Sequence, residues 1–192
     1  MTHRDRSAYK TLSSVKAVCK SVTITVMTGH VRRNTHIEAC TELLAHSPRD
    51  SKVVAPTKEL TKLINESCQA AVNPDGTQLK PEIWGDFWGT EFRVGDPIMC
   101  LKNDYENDLQ NGSLGRLLSA DQEAEDHLGI IKMDDKPEAL TLTKALLDNI
   151  RLGYAMTLHK TQGSQVPKVV IALNNSPLID RSWIYTAITR AE

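Results

Sequence analysis

The β-branched residues Val22, Ile24 and Val26 alternate with Thr23, Thr25 and Met27, a period of two that predicts a strand. Ile37, Cys40, Leu43 and Leu44 then fall at helical spacing. His46-Ser47-Pro48 ends that run, because the residue before a proline avoids the α region. A short apolar run, Lys52-Val53-Val54-Ala55, comes next. Beyond Pro56, Leu60, Leu63, Ile64, Cys68 and Val72 trace one helical face; Thr57 is placed to cap its first turn, and Asn73-Pro74-Asp75-Gly76 is a turn that stops it. Strand, helix, strand, helix in succession predicts an α/β domain with a mostly parallel sheet. The first twenty residues carry no strong period, so residues 1–29 count as a lead-in holding part of a strand.

From Phe92 to about Thr143 the apolar runs become short and turn-punctuated. They are Val94 to Leu101, Ser113 to Leu118 after Asn111-Gly112, Leu128 to Met133, and Ala139 to Thr143. This spacing is that of a small β-barrel or meander. Buried-strand character resumes at Tyr154 to Leu158 and at Lys168 to Leu173, so the β-rich part reads as an insertion into the α/β domain. Asp180 is placed to cap a last helix in which Trp183, Ile184, Ala187, Ile188 and Ala191 line one side.

Composition narrows the functional classes. The 192 residues fit one domain carrying a small insertion, not a two-domain motor. A formal charge of −1 excludes a globally basic nucleic-acid binder but not a local basic groove. No apolar run reaches the roughly 18 residues of a membrane helix, and no signal-peptide pattern succeeds the charged start; an intracellular, cytoplasmic protein is the expectation. Cys19, Cys40, Cys68 and Cys100 match neither a zinc pattern nor a compact disulfide framework and read as buried thiols. His30 and His36 make a poor metal pair without a carboxylate between them, and no metal is assigned to the chain.

Two segments concentrate polar residues where core packing does not require them. One is Tyr154 to Gln165, a strand running into a turn loaded with His159, Lys160, Gln162, Gly163 and Ser164. The ends of strands in open α/β sheets, with a Gly-containing loop beyond, are where backbone N–H groups can face an anion. The other is Tyr185 to Ala191, a helix with hydroxyls on its apolar side and Arg190 near its end. An arginine so placed can neutralise a transferring phosphoryl group from across a domain interface. Alone, His159 reads as a solvated histidine and Arg190 as a surface ion pair; it is the combination that points to chemistry.

Thr157-Leu158-His159-Lys160-Thr161-Gln162-Gly163-Ser164, together with Tyr185-Thr186-Ala187-Ile188-Thr189-Arg190-Ala191 further along, closely resembles motifs V and VI of superfamily 1 DNA helicases of the RecD/TraA type. Phe92 to Met99, Asn103-Asp104-Tyr105 and Asn111 to Gly115 resemble the entry into that family's SH3-like barrel. Ala55-Pro56-Thr57 with Leu63-Ile64-Asn65, Gln69 and Asn73-Pro74 is similar to its motif IV, and Val31-Arg32-Arg33-Asn34 to its arginine segment after motif III. The resemblance implies a RecA-like parallel-sheet domain over residues 30–93 and 150–192, with an SH3-like barrel inserted at 94–149. It implies the second motor domain without the first, since no Gly-x-x-x-x-Gly-Lys-Ser/Thr sequence is present and Asp134-Asp135 falls in the insert.

By the same resemblance Arg190 is the arginine finger and Arg33 a γ-phosphate sensor, with Arg32 beside it an equal match. Gln162, Gly163, Ser164 and Gln165 lie toward the nucleotide; Gln165 stands where the family commonly has Glu. Thr157, His159 and Lys160 touch single-strand phosphates, and Thr57 is either a further contact or only a helix cap. The aromatic group Trp84, Phe87 and Trp88 favours packing over base stacking. ATP and Mg would be held mainly by the first motor domain. The implied partners are single-stranded DNA, that first domain, and other recombination or replication proteins, without a membrane. Motion along the strand would run 5′ to 3′. A stand-alone nucleic-acid-binding or adaptor module is the rival reading; an unrelated nucleotide enzyme is disfavoured by the lack of Gly-x-Gly-x-x-Gly.

Overall fold

The computed structural model describes residues 51–80, 91–161, 168–174 and 176–190, together with the backbone of 22–26. The predicted helix around Ile37 to Leu44, the aromatic group at 84–88, Cys19, Cys40, His30 and His36 lie outside the described residues. In chain order the elements are β1 (Val22–Val26), β2 (Ser51–Ala55), α1 (Lys58–Val72), β3 (Pro97–Cys100), β4 (Leu114–Ala120), β5 (Gly129–Met133), β6 (Ala139–Leu142), α2 (Lys144–Asp148), β7 (Ile150–Leu152), β8 (Ala155–Thr157), a 3-10 turn (Leu158–Thr161), β9 (Lys168–Leu173) and α3 (Arg181–Ile188). The strands form two sheets. One is parallel, in the order β1-β9-β2-β8; the other is antiparallel, in the order β6-β5-β4-β3-β7.

Between β2 and β8, neighbours in the parallel sheet, the chain runs through the whole antiparallel sheet, so the second sheet is an insertion in the first. The passage back is abrupt: β7 ends at Leu152 and β8 begins at Ala155, leaving only Gly153-Tyr154 between the sheets. The short helix α2 and the three-residue β7 are not predicted by the sequence pattern. Among the described residues, β6 and β7 are the two edges of the antiparallel sheet and no ladder joins them.

β2 lies between β9 and β8, and all five of its residues are buried. Its alternation therefore serves two cores. On one face Val53 and Ala55, with Ala155, Val170 and Ala172, pack against Leu60, Ile64 and Cys68 of α1. That cluster continues through Leu79 and Phe92 into Ile98, Leu117, Ile131, Met133, Leu146 and Ile150 of the insertion. On the other face Val54, Val169, Ile171 and Leu158 pack against Ala187 of α3. Each fully buried side chain of this kind contributes roughly 1.5–3 kcal/mol, so the shared first cluster is what holds the two sheets together.

Two buried polar groups fix how the layers meet. Asn65 on α1 donates from Nδ2 to the Ala155 carbonyl (3.0 Å) and accepts from the Ala155 N–H (2.9 Å), filling the outward-facing hydrogen-bonding positions of the edge strand β8. Asp96 is fully buried just before β3. Its carboxylate accepts from Gln69 Nε2 (2.5 Å), Asn73 Nδ2 (2.7 Å), the Arg93 N–H (2.8 Å) and the Tyr154 hydroxyl (2.8 Å). One side chain thus ties the C-terminal end of α1, the entry to the insertion and the exit from it. Burial pushes the Asp96 carboxyl above its ordinary range, against the pull of those four donors.

Candidate functional site

In the register of β2 and β8, Ala55 stands opposite Thr157. Both strands run the same way, so the segments that continue from them emerge side by side at the C-terminal edge of the sheet: Pro56-Thr57 leading into α1, and the 3-10 turn after β8. This is the edge at which open parallel sheets bind ligands. The structure brings Thr57, Thr157, His159 and Lys160 together there.

Their chemical states differ. Thr57 is the N-cap of α1: its hydroxyl accepts from the Leu60 N–H (3.2 Å) and its carbonyl from the Thr61 hydroxyl (2.8 Å). The capping role is thereby realised, and the hydroxyl is already engaged. Thr157 is half-buried and His159 is exposed. Thr161 closes the turn, its hydroxyl donating to the Leu158 carbonyl (2.7 Å).

Lys160 points to the insertion. Its Nζ donates to the Leu101 carbonyl (2.8 Å) and to Asn111 Oδ1, so its ammonium clamps the 3-10 turn to the loop between β3 and β4. Gly112, next to that clamp, has φ +94° and a position where a Cβ would lie 3.0 Å from the Lys160 carbonyl oxygen, so the approach of the two loops needs a glycine. Burial lowers the Lys160 pKa, and the nearby Lys58 ammonium lowers it further. Lys58, the first residue of α1, is therefore a cation of the same edge. The sequence motifs do not single out Lys58; its signal is its place directly after the cap that succeeds β2.

Arg190 comes just after α3, which packs on the opposite face of the sheet through Ala187. It is half-buried, its Nε lies 3.4 Å from the Thr186 carbonyl, and it lines a small cavity with Lys52, Val54, Met156, Thr161 and Val169. The end of α3 and the turn after β8 therefore meet through Thr161. Arg33, Arg32, Gln162, Gly163, Ser164 and Gln165 lie outside the described residues. Among the described residues no group of three His, Cys, Asp or Glu gathers to hold a metal, and no helix is long and apolar enough to cross a membrane.

Comparison with known proteins places this edge in a wider setting. Residues 152–192, from the end of β7 through α3, match the model of the UvrD-like helicase C-terminal domain. The ATP-dependent RecD2 DNA helicase of Deinococcus radiodurans is 39% identical over 103 residues, which cover 53% of this chain and 14% of that protein. The RecBCD enzyme subunit RecD of Mycolicibacterium smegmatis is 32% identical over 119 residues, covering 61% of this chain and 19% of that one. The chain thus spans less than a fifth of the length of these relatives. Among solved structures, the Pif1 helicase from Bacteroides in complex with ADP-AlF3 and ssDNA has the same fold over 81% of this chain and 42% of its own, with a TM-score of 0.53 and 19% identity.

Proposed function

We propose that the chain is the C-terminal motor-domain portion of an ATP-dependent DNA helicase that translocates on single-stranded DNA. The match of residues 152–192 to the UvrD-like helicase C-terminal domain, and the similarity of the flanking chain to RecD-type helicases, support this reading. In it residues 30–93 and 150–192 form the second RecA-like domain and 94–149 an SH3-like insert. Thr157 and His159 hold strand phosphates at the C-terminal edge of the sheet. Lys160 belongs to the same edge as a clamp to the insert, and Thr57 as the cap that orients α1. Arg190 is the arginine finger and Arg33 its companion, while Gln162, Gly163, Ser164 and Gln165 face the nucleotide. ATP and Mg are held mainly by a first motor domain, which supplies the phosphate loop that this sequence lacks. The chain alone turns over no ATP.

The observation that carries the proposal is the side-by-side exit of β2 and β8, which puts the turn with the exposed His159 and with Lys160 at the sheet edge where α1 begins with Lys58, whose ammonium acts on Lys160. Phosphate contacts of that kind position a strand without reading its sequence and weaken as salt rises. The test is fluorescence anisotropy of a labelled single-stranded oligonucleotide titrated with the chain across a salt series. We expect salt-sensitive, sequence-independent binding that His159→Ala weakens about three- to tenfold, the loss of one such contact. Lys160→Ala should weaken binding less than His159→Ala, because its ammonium is held toward the Leu101 carbonyl and Asn111. Absence of salt-sensitive binding would overturn the reading.

A further inference from the structure

Sharing only Lys52 with the small cavity beside Arg190, a cleft of about 380 Å³ opens between the N-terminal half of β2 and the antiparallel sheet. Lys52, Arg116 and Lys132 line it, with Asp134 at one side, the buried Pro97, Gly115 and Met133 beneath it and Leu118 as its exposed apolar side chain. Three cations against one carboxylate is an unusual grouping for a recessed space. Arg116 and Lys132 stand directly opposite each other on β4 and β5, a like-charge cross-strand pair that costs stability. Each gives one hydrogen bond to a carbonyl, Arg116 to Gly95 and Lys132 to Lys136 (2.6 Å), which leaves further N–H donors on both side chains. Lys52 is only 7% exposed, and its hydrogen bond to the Gly153 carbonyl is a long one, 3.4 Å. A bulge between Leu117 and Ser119 turns Leu118 outward, leaving it 47% exposed beside the cations.

We propose that this cleft binds a mononucleotide unit, its phosphate held by Lys52, Arg116 and Lys132 and its base or sugar lying on Leu118. The charge pattern suits the ligand: an anion relieves the repulsion among three converging cations, and Asp134 accepts a hydrogen bond from a ribose hydroxyl or an exocyclic amine. The volume is that of a small-molecule pocket, and the mixture of apolar surface with a few convergent polar groups is typical of one. The inference does not depend on the strand contacts of His159, which does not line the cleft.

The test is isothermal titration of the chain with AMP, inorganic phosphate, sulfate and a ten-nucleotide single strand. AMP should bind in the millimolar range or tighter and more strongly than either inorganic anion. Lys132→Glu should weaken it at least tenfold and Lys132→Gln by a smaller factor, with thermal unfolding showing both variants folded. If Lys132→Glu does not fold, Lys132→Gln alone must still weaken AMP. His159→Ala should leave AMP binding unchanged. The proposal is overturned if AMP fails to bind at 10 mM, a ceiling of roughly −3 kcal/mol, if sulfate binds as well as AMP, or if AMP binding survives both Lys132 variants. If AMP binding depends on His159 instead, the site lies elsewhere and the proposal also falls. Preference for the oligonucleotide over AMP, still lost with Lys132→Glu, identifies the unit as part of a strand.

Discussion

Lys52 shows how a single buried charge bears on stability. It sits in the central strand of the parallel sheet, where a lysine is out of place, and burial lowers its pKa from the ordinary 10.5 to about 8; Asp134 opposes that shift and Arg116 adds to it. Below pH 8 the side chain is protonated in both folded and unfolded chains, so the folded protein carries the full cost of the buried ammonium. Between about pH 8 and 10.5 the folded chain has released the proton while the unfolded chain still holds it, and this group's contribution to stability rises with pH. The shift corresponds to roughly 3 kcal/mol. Lys52→Met, similar in length and uncharged, should therefore raise the urea midpoint at pH 7, and the gain over the parent should shrink toward zero as pH approaches 10.5. An equal gain at pH 7 and pH 10 would show that the charge is not the cause.

At the scale of elements, the edge strand β8 is three residues long and survives because Asn65 completes its hydrogen bonding at Ala155. An exposed strand edge invites wrong pairing, and a helix laid over it removes the hazard. Asn65→Leu keeps the volume but leaves the buried N–H and carbonyl of Ala155 without partners, at about 1–3 kcal/mol for each group. We expect a loss of about 2–4 kcal/mol in urea unfolding; a loss below about 1 kcal/mol would mean that water replaces the amide. This pairing marks the boundary of what the sequence reveals. Thr57 and Asp180 are legible as caps because the groups they satisfy, the N–H of Leu60 and of Trp183, lie three residues away. β1, β2 and β9 are legible because β-branched or continuous apolar runs have few other uses. Asn65 and Ala155 are 90 residues apart, and Lys160 and Leu101 are 59, so no local pattern announces either bond. The motif around Lys160 gives no sign of its bonds to the insertion. α2 and β7, five and three residues long, are too short to show a period.

Over the whole molecule, the question is whether the insertion is a separate body or part of one core. The apolar cluster that begins under α1 runs without a break into β3, β4 and β5, and Asp96 joins α1 to both connections between the sheets. A loosely attached module would have its own core and polar, water-filled joints; here the joint is among the most buried regions of the described residues. Cooperative unfolding is the consequence, since removing either layer exposes the inner face of the other. Urea unfolding monitored by far-UV circular dichroism and by tryptophan fluorescence should give coincident, single transitions. Asp96→Ala leaves the Arg93 N–H and the Tyr154 hydroxyl without this acceptor and strips the Gln69 and Asn73 amides back to their bonds with the Glu91 and Val94 carbonyls, and should lower the midpoint by an amount equivalent to about 3 kcal/mol. The variant discriminates two architectures. If the sheets form one cooperative unit, the transition moves as a whole and keeps its slope; if the insertion is autonomous, the carboxylate acts as a bolt between modules and its loss splits the curve into two steps. We expect the first outcome, because the cluster linking α1 to β4 remains when the carboxylate is gone. With one core, a displacement of the turn after β8 reaches the insertion as a rigid movement, through the Lys160 clamp and the shared cluster together.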